Sequence, residues 1–182
     1  MGKLSNYLKA DFGKYGLEYK KREFIKCLFG RSIALKFICL FRLTRSCKSE
    51  VSRKIVRQFL MSVERRYGLE IPDTVEIGEG LYIGHPYGIT INPGVKMGNN
   101  IAIHKGVTLG RENRGKREGA PVVGDNVWFG INSTVVGRIK IGNDVLIAPN
   151  AYINMDVPAH SIVVGNPCKV IRAENATEGY LI

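Results

Sequence analysis

From Ile71 onward, large apolar residues return at every sixth position. Ile71, Ile77, Ile83, Ile89, Val95, Ile101 and Val107 form one run, and Val123, Phe129, Val135, Ile141, Ile147 and Ile153 form a second. A period of six suits neither the 3.6-residue turn of a helix nor the two-residue alternation of a hairpin. It suits a coil of three short flat strands, each sending one large side chain inward. The following residue is often small, as at Gly78, Gly84, Ala102, Gly124, Gly130, Gly142 and Ala148, which lets the chain turn a corner. The step from Val107 to Val123 falls two short of three sixes. The stretch inside it, Arg111–Gly119, is charged and contains glycine, so a loop is expected to leave the coil over 110–121.

Before residue 70 the pattern is helical. Val51, Ile55, Phe59, Val63 and Tyr67 recur every four residues and are joined by Val56 and Leu60. They predict one apolar stripe on a helix capped by Ser49, carrying Glu50 in its first turn and stopping at Gly68. Upstream, Phe24, Leu28, Leu35, Ile38 and Phe41 predict a second, more apolar helix, and a shorter one is expected around Leu4–Asp11.

Charge sharpens this division. Residues 1–70 hold 17 Lys/Arg against 6 Asp/Glu, whereas residues 71–182 hold 10 of each, so the whole net charge of +11 lies in the first segment. The sequence thus reads as a basic helical segment at 1–70, a repeat domain at 71–171 and a tail at 172–182. The basic faces are either solvated or suited to an anionic membrane surface. No nucleic-acid-binding motif accompanies them, so no nucleic acid partner is expected. Hydrophobic residues at 45% and charged residues at 24% exclude a disordered or collagen-like chain. Cys27, Cys39, Cys47 and Cys168 form no C-x-x-C pair, which points to reduced thiols in a cytoplasm rather than a zinc ribbon or a disulfide framework. Lys3, Lys9 and Asp11 break up any signal-peptide core, and Arg31, Lys36 and Arg42 interrupt the apolar stretch Cys27–Leu43.

The comb, together with I-G-H-P-Y-G-I at 83–89, G-V-T-L-G at 106–110 and V-V-G-N-P-C-K-V-I at 163–171, resembles the hexapeptide-repeat acyltransferases. Within them it is similar to the serine acetyltransferase-like branch, which includes capsule and exopolysaccharide O-acetyltransferases. The resemblance implies a mainly β fold, a left-handed parallel β-helix behind a short α-helical segment. It further implies a homotrimer with active sites between subunits and acetyl-CoA as acyl donor, with no metal.

The same resemblance places the general base at His85, where a group titrating near neutrality can take a proton from an attacking hydroxyl. It places an orienting acid at Glu70, slightly less than one coil upstream. Gly110, Gly130 and Ala148 would line the pantetheine groove, and Lys169 and Arg172 would meet the nucleotide phosphates. Backbone amides near the T-L-G turn would hold the oxyanion. His104 follows His85 by three sixes and one further position. That is one coil plus one, so the two side chains are expected to point apart. His104 then reads as a structural histidine in preference to a pocket residue, and His160 as structural. The spacing of the three histidines does not resemble the metal site of the trimeric γ-carbonic anhydrases.

Two departures bear on the acceptor. Gly84 stands where serine acetyltransferases carry Asp, and Gly119-Ala120 stand where they carry Arg-His before the proline. The expected reaction is therefore O-acetylation of a sugar or polysaccharide-related hydroxyl by direct attack, at the inner face of a membrane when the acceptor is lipid-linked. The alternative is serine O-acetylation, and a non-catalytic or metal-binding scaffold is the third reading. Ile182 at the end of the chain matches the residue with which serine acetyltransferases bind their cysteine synthase partner.

Overall fold

The computed structural model describes residues 2–181; Ile182 lies outside them. Four helices come first: α1 (Gly2–Gly13), α2 (Lys21–Phe29), α3 (Ile33–Ser46) and α4 (Glu50–Tyr67). The single apolar helix expected upstream of Ser49 is two. Gly30 adopts an extended conformation after α2, and Ser32 restarts the helix by accepting a hydrogen bond from Leu35 N. Ser49 occupies the N-cap position of α4 without a side-chain cap bond, while Gly68 closes the helix in the left-handed region at φ 64°. The stripe expected along α4 divides. Leu60 and Val63 are buried, but Val51, Ile55 and Phe59 are all more than half exposed. By contrast α3 is buried along most of its length, through Phe37, Ile38 and Phe41.

The remainder is a three-sided coil of short parallel strands. One face stacks Glu76–Ile77, Lys96–Met97, Val122–Val123 and Lys140–Ile141. A second stacks Tyr82–Gly84, Ile101–His104, Val127–Phe129, Val145–Ile147 and Ser161–Val164. The third stacks Thr90–Ile91, Thr108–Gly110, Thr134–Val136 and Tyr152–Ile153. The strand Lys169–Arg172 then turns back antiparallel on Ser161–Val164, so the boundary read at 171/172 falls inside a strand.

All members of the six-residue comb are buried, but the register differs from the comb. On the second face the inward partners run Ile83, Ile103, Phe129, Ile147 and Val163. Their spacing is uneven. It exceeds three sixes from Ile83 to Ile103, and exceeds them further from Ile103 to Phe129, across the loop. It equals three sixes from Phe129 to Ile147 and falls short of them from Ile147 to Val163. Each face offers two inward positions, and Ile101 pairs with Val127 rather than with Phe129. The comb slips from one inward position to the other between Ile83 and Ile89, because two extra residues bulge out around His85–Gly88. It slips back across the loop. Counted in register, Val123 would follow Leu109 by a single six; the real separation is longer by the whole loop, and the apparent shortfall disappears. Ala102 is not at a corner but pairs mid-strand with Tyr82 and Trp128. The inserted loop folds on itself through paired Glu112–Gly119 backbone bonds of 2.9 Å.

A buried ion pair joins helices to coil. The Arg42 guanidinium reaches Asp11 at 2.8 Å and donates to the carbonyls of Ile77 at 2.8 Å and Gly78 at 2.6 Å. Asp11 in turn accepts from Leu81 N at 2.8 Å. Both side chains are almost fully enclosed, and each charge is met by several hydrogen-bond partners, the condition under which a buried pair is tolerated.

Candidate active site

The two-residue bulge that lengthens the first coil also presents His85. Its φ is 54°, a left-handed conformation uncommon for a residue with a Cβ. The turn is held by Tyr87 N donating to His85 O at 2.7 Å and Gly106 N donating to Tyr87 O at 3.0 Å. His85 is exposed and forms one wall of a shallow pocket of about 280 Å³. The N-terminal end of α3, at Ser32–Ala34, also lines it, together with Tyr82, Tyr87 and His104.

His104 thus shares the pocket with His85, contrary to the expectation that the two point apart. The reason is the register. The coil is longer than three sixes here, Gly84 pairs with His104, and His104 comes up beside the residue preceding His85. The offset between the matching aliphatics Ile83 and Ile103, two positions more than three sixes, was the sequence signal for this contact.

His104 is the better-defined of the two imidazoles. Its Nδ1 is 2.9 Å from the Phe129 carbonyl. A carbonyl only accepts, so Nδ1 carries the proton, and Nε2 holds the lone pair whenever the ring is neutral. Burial lowers the His104 pKa from its ordinary value, the Phe129 carbonyl opposes this, and positive charge on His85 lowers it further. His104 is also one rung of an aromatic ladder: its ring centroid is 6.0 Å from Tyr82 and 4.7 Å from Trp128, and Trp128 meets Tyr180 of the tail at 5.1 Å.

The remaining candidates are dispersed. Glu70 pairs through its backbone with Thr90, and its exposed side chain lines a different pocket with Arg57, Glu64 and Arg65. No hydrogen bond or ion pair joins it to His85. Gly130 and Ala148 lie at successive turns of one corner, where a Cβ on Gly130 would stand 2.6 Å from Pro149 N and 2.7 Å from Ile147 O. Gly110 ends its strand on the third face, paired with Val136. Lys169 and Arg172 are exposed on one antiparallel strand, at an odd spacing that sets them on opposite sides of it. One chain alone does not bring these residues to His85. His160 lies elsewhere, at 2.9 Å from Asp144. Burial works against the charge on Asp144, but hydrogen bonds from Thr177, His160 and Ala176 outweigh it and hold the pKa down to about 2. That carboxylate pins the tail.

Residues 120–154 match the family model "Bacterial transferase hexapeptide (six repeats)". Serine acetyltransferase 2 of Arabidopsis thaliana is 35% identical over 121 residues, covering 66% of this chain and 38% of that protein. The serine acetyltransferase of Staphylococcus epidermidis is 34% identical over 130 residues, covering 70% and 61%. The chain therefore spans less than two thirds of the length of these relatives. A serine acetyltransferase structure from Neisseria gonorrhoeae, solved in complex with serine, superimposes with a TM-score of 0.75 at 26% identity, over 93% of this chain and 69% of that one. Over these regions the chain is similar to serine acetyltransferases and to transferase hexapeptide repeats, and its coil is the left-handed β-helix of those structures. No helix among the described residues is long and apolar enough to cross a membrane.

Proposed function

We propose that the protein is an acetyl-CoA-dependent O-acetyltransferase. The observation that carries this reading is the meeting of His85 and His104 in one open pocket, with His104 Nδ1 held by the Phe129 carbonyl. His85 takes the proton of the acceptor hydroxyl as its oxygen attacks the thioester carbonyl carbon. The tetrahedral intermediate places its negative charge on the former carbonyl oxygen, where N–H donors of the assembled site would meet it; Thr108 N of the T-L-G turn is itself committed to Ser133 O at 3.0 Å. Collapse breaks the C–S bond, and the imidazolium returns the proton to the leaving thiolate. His104 Nε2 accepts a hydrogen bond from a second donor group of the acceptor and so holds the attacking hydroxyl toward His85. Gly110, Gly130, Ala148, Lys169 and Arg172 serve acetyl-CoA across a subunit boundary, which the dispersal of these residues within one chain supports. Three-fold packing of the coils would form that boundary. Glu70 would orient His85 only once both exposed side chains rotate toward each other.

The homologues make L-serine the first acceptor to test. One observation favours a second reading, a sugar or polysaccharide-related hydroxyl. Among the described residues, the pocket beside His85 is lined by tyrosines and imidazole, with no carboxylate to pair with the ammonium of serine. Acceptor-dependent release of free thiol from acetyl-CoA, measured with L-serine and with a panel of sugars, decides between them. His85→Ala is expected to lower turnover by about 10²–10⁴ in a folded protein. Near-wild-type turnover would remove His85 from the chemistry, and thiol release with no acceptor at all would remove the proposed reaction.

A further inference from the structure

We infer that the outer face of α2 and α4 docks on an anionic lipid surface. The proposal does not depend on the acyl-transfer reading. Most of the apolar stretch Cys27–Leu43 is spent on the core through α3, but Phe29 within it stays exposed. The rest of the lipid-facing surface comes from residues that the periodicity of α4 assigned to burial. Phe29 at the end of α2 is 85% exposed, and Phe59 of α4 is 60% exposed. Both line one groove of about 530 Å³ between α2, α3 and α4. One and two turns before them, on the same helix faces, stand exposed Ile25, Ile55 and Val51. Each helix thus carries an exposed apolar ridge, the two meeting the same groove through Phe29 and Phe59, where a solvated helix would be polar.

What flanks the ridge selects the partner. Lys21 and Arg22 border it on α2, and Lys54 and Arg66 border it on α4; all four are exposed. None of the four forms an ion pair among the described residues. The acidic residues of the two helices are engaged or turned away: Glu23 pairs with Lys26, Glu50 pairs with Arg53, and Glu64 lies with Arg57 in the pocket on the other side. A second copy of the same face would bring cation against cation. An anionic bilayer accepts both features, the ridge entering the headgroup boundary and the cations meeting lipid phosphates.

The test is flotation of the full chain with vesicles of phosphatidylcholine alone and of phosphatidylcholine mixed with phosphatidylglycerol. Binding is expected to the mixed vesicles only, and to fall away between low salt and about 1 M salt, where screening contracts to roughly 3 Å. Phe29→Ser and Phe59→Ser, both at exposed positions, are each expected to weaken partitioning by about tenfold or more with an unchanged circular dichroism spectrum. Equal recovery on both vesicle types, or none on either at low salt, overturns the proposal. So does a wild-type oligomer that Phe29→Ser dissociates, because the ridge would then be a protein interface.

Discussion

His104 lies directly beneath Gly84. The two are register partners on adjacent coils, and a Cβ at position 84 would stand 2.5 Å from His104 Cδ2 and 2.7 Å from Nε2. The absence of a side chain at 84 and the presence of an imidazole at 104 are therefore one feature. Where the sequence comparison suggested a site that had lost an acidic residue beside the base, the structure shows that space given to a second histidine.

Gly84→Ala tests this relationship. Gly84 is not among the residues with positive φ, so the backbone tolerates alanine, but the methyl group must push the His104 ring aside. Acetyl transfer is expected to fall on the order of 10²-fold, the cost of a misplacement of about 1 Å near reacting groups, with the thermal midpoint little changed. Wild-type kcat/KM in Gly84→Ala would show that the position of His104 is irrelevant to turnover.

The protonation of His104 can be read directly. Burial, and then charge on His85, lower its pKa below the ordinary 6.5. A depressed histidine favours the folded state above the unfolded value, and that contribution is lost as pH falls from 6.5 through the folded value. In NMR titration the His104 ring is expected to be less than half protonated at pH 6.5. His104→Gln should flatten the acid side of the stability curve. A midpoint at or above the ordinary value would contradict the assigned role of neutral acceptor.

How much of this was legible in the chain depended on what each residue had to satisfy. The inward aliphatics had to be buried whichever of the two inward positions they took, so Ile89 and Val107 read as core even though the comb had their register wrong. The pairing of Gly84 with His104 needed the true coil length, and two residues bulging at His85–Gly88 were enough to hide it. On α4, spacing alone could not separate a core stripe from an exposed ridge. Val51, Ile55 and Phe59 lie on adjacent turns just as Leu60 and Val63 do, and only the placement of α2 and α3 decides which are covered. Glu70 illustrates the converse: its offset from His85 was compatible with contact, yet its backbone is committed to pairing with Thr90. The dispersal of Gly110, Gly130, Lys169 and Arg172 is a property of one chain of a solenoid, which no linear motif records.

Arg42 is the residue on which the helical segment hangs. It interrupts an apolar helix, and its guanidinium is spent on Asp11 and on the carbonyls of the first coil. Arg42→Met leaves a buried carboxylate without its partner and is expected to cost about 3–5 kcal/mol in urea unfolding. Adding Asp11→Asn should recover part of that loss, because the uncompensated charge is then gone. A double variant less stable than Arg42→Met by the full cost of a second independent lesion would show that the two groups do not act as a pair.

Ser133 makes the opposite prediction. It occupies an inward position between the third-face strands, is fully buried, and its hydroxyl has no hydrogen-bond partner among the described residues. Its backbone is fully used, since Ser133 O accepts from Thr108 N at 3.0 Å and Ser133 N donates to Gly130 O at 3.1 Å. The side-chain oxygen therefore carries a desolvation cost without a compensating bond, of the order of 1–3 kcal/mol for such a group. Alanine removes that oxygen and leaves only a small gap in a stack otherwise made of aliphatics. Ser133→Ala is expected to leave stability unchanged or raise it by about 1 kcal/mol, in contrast to the loss usual for truncation at a buried site. A loss of more than about 1 kcal/mol in equilibrium unfolding would show that the hydroxyl is bonded in solution, to water or to a neighbouring subunit, and that the inside of the coil is wetter at this level than its aliphatic walls suggest.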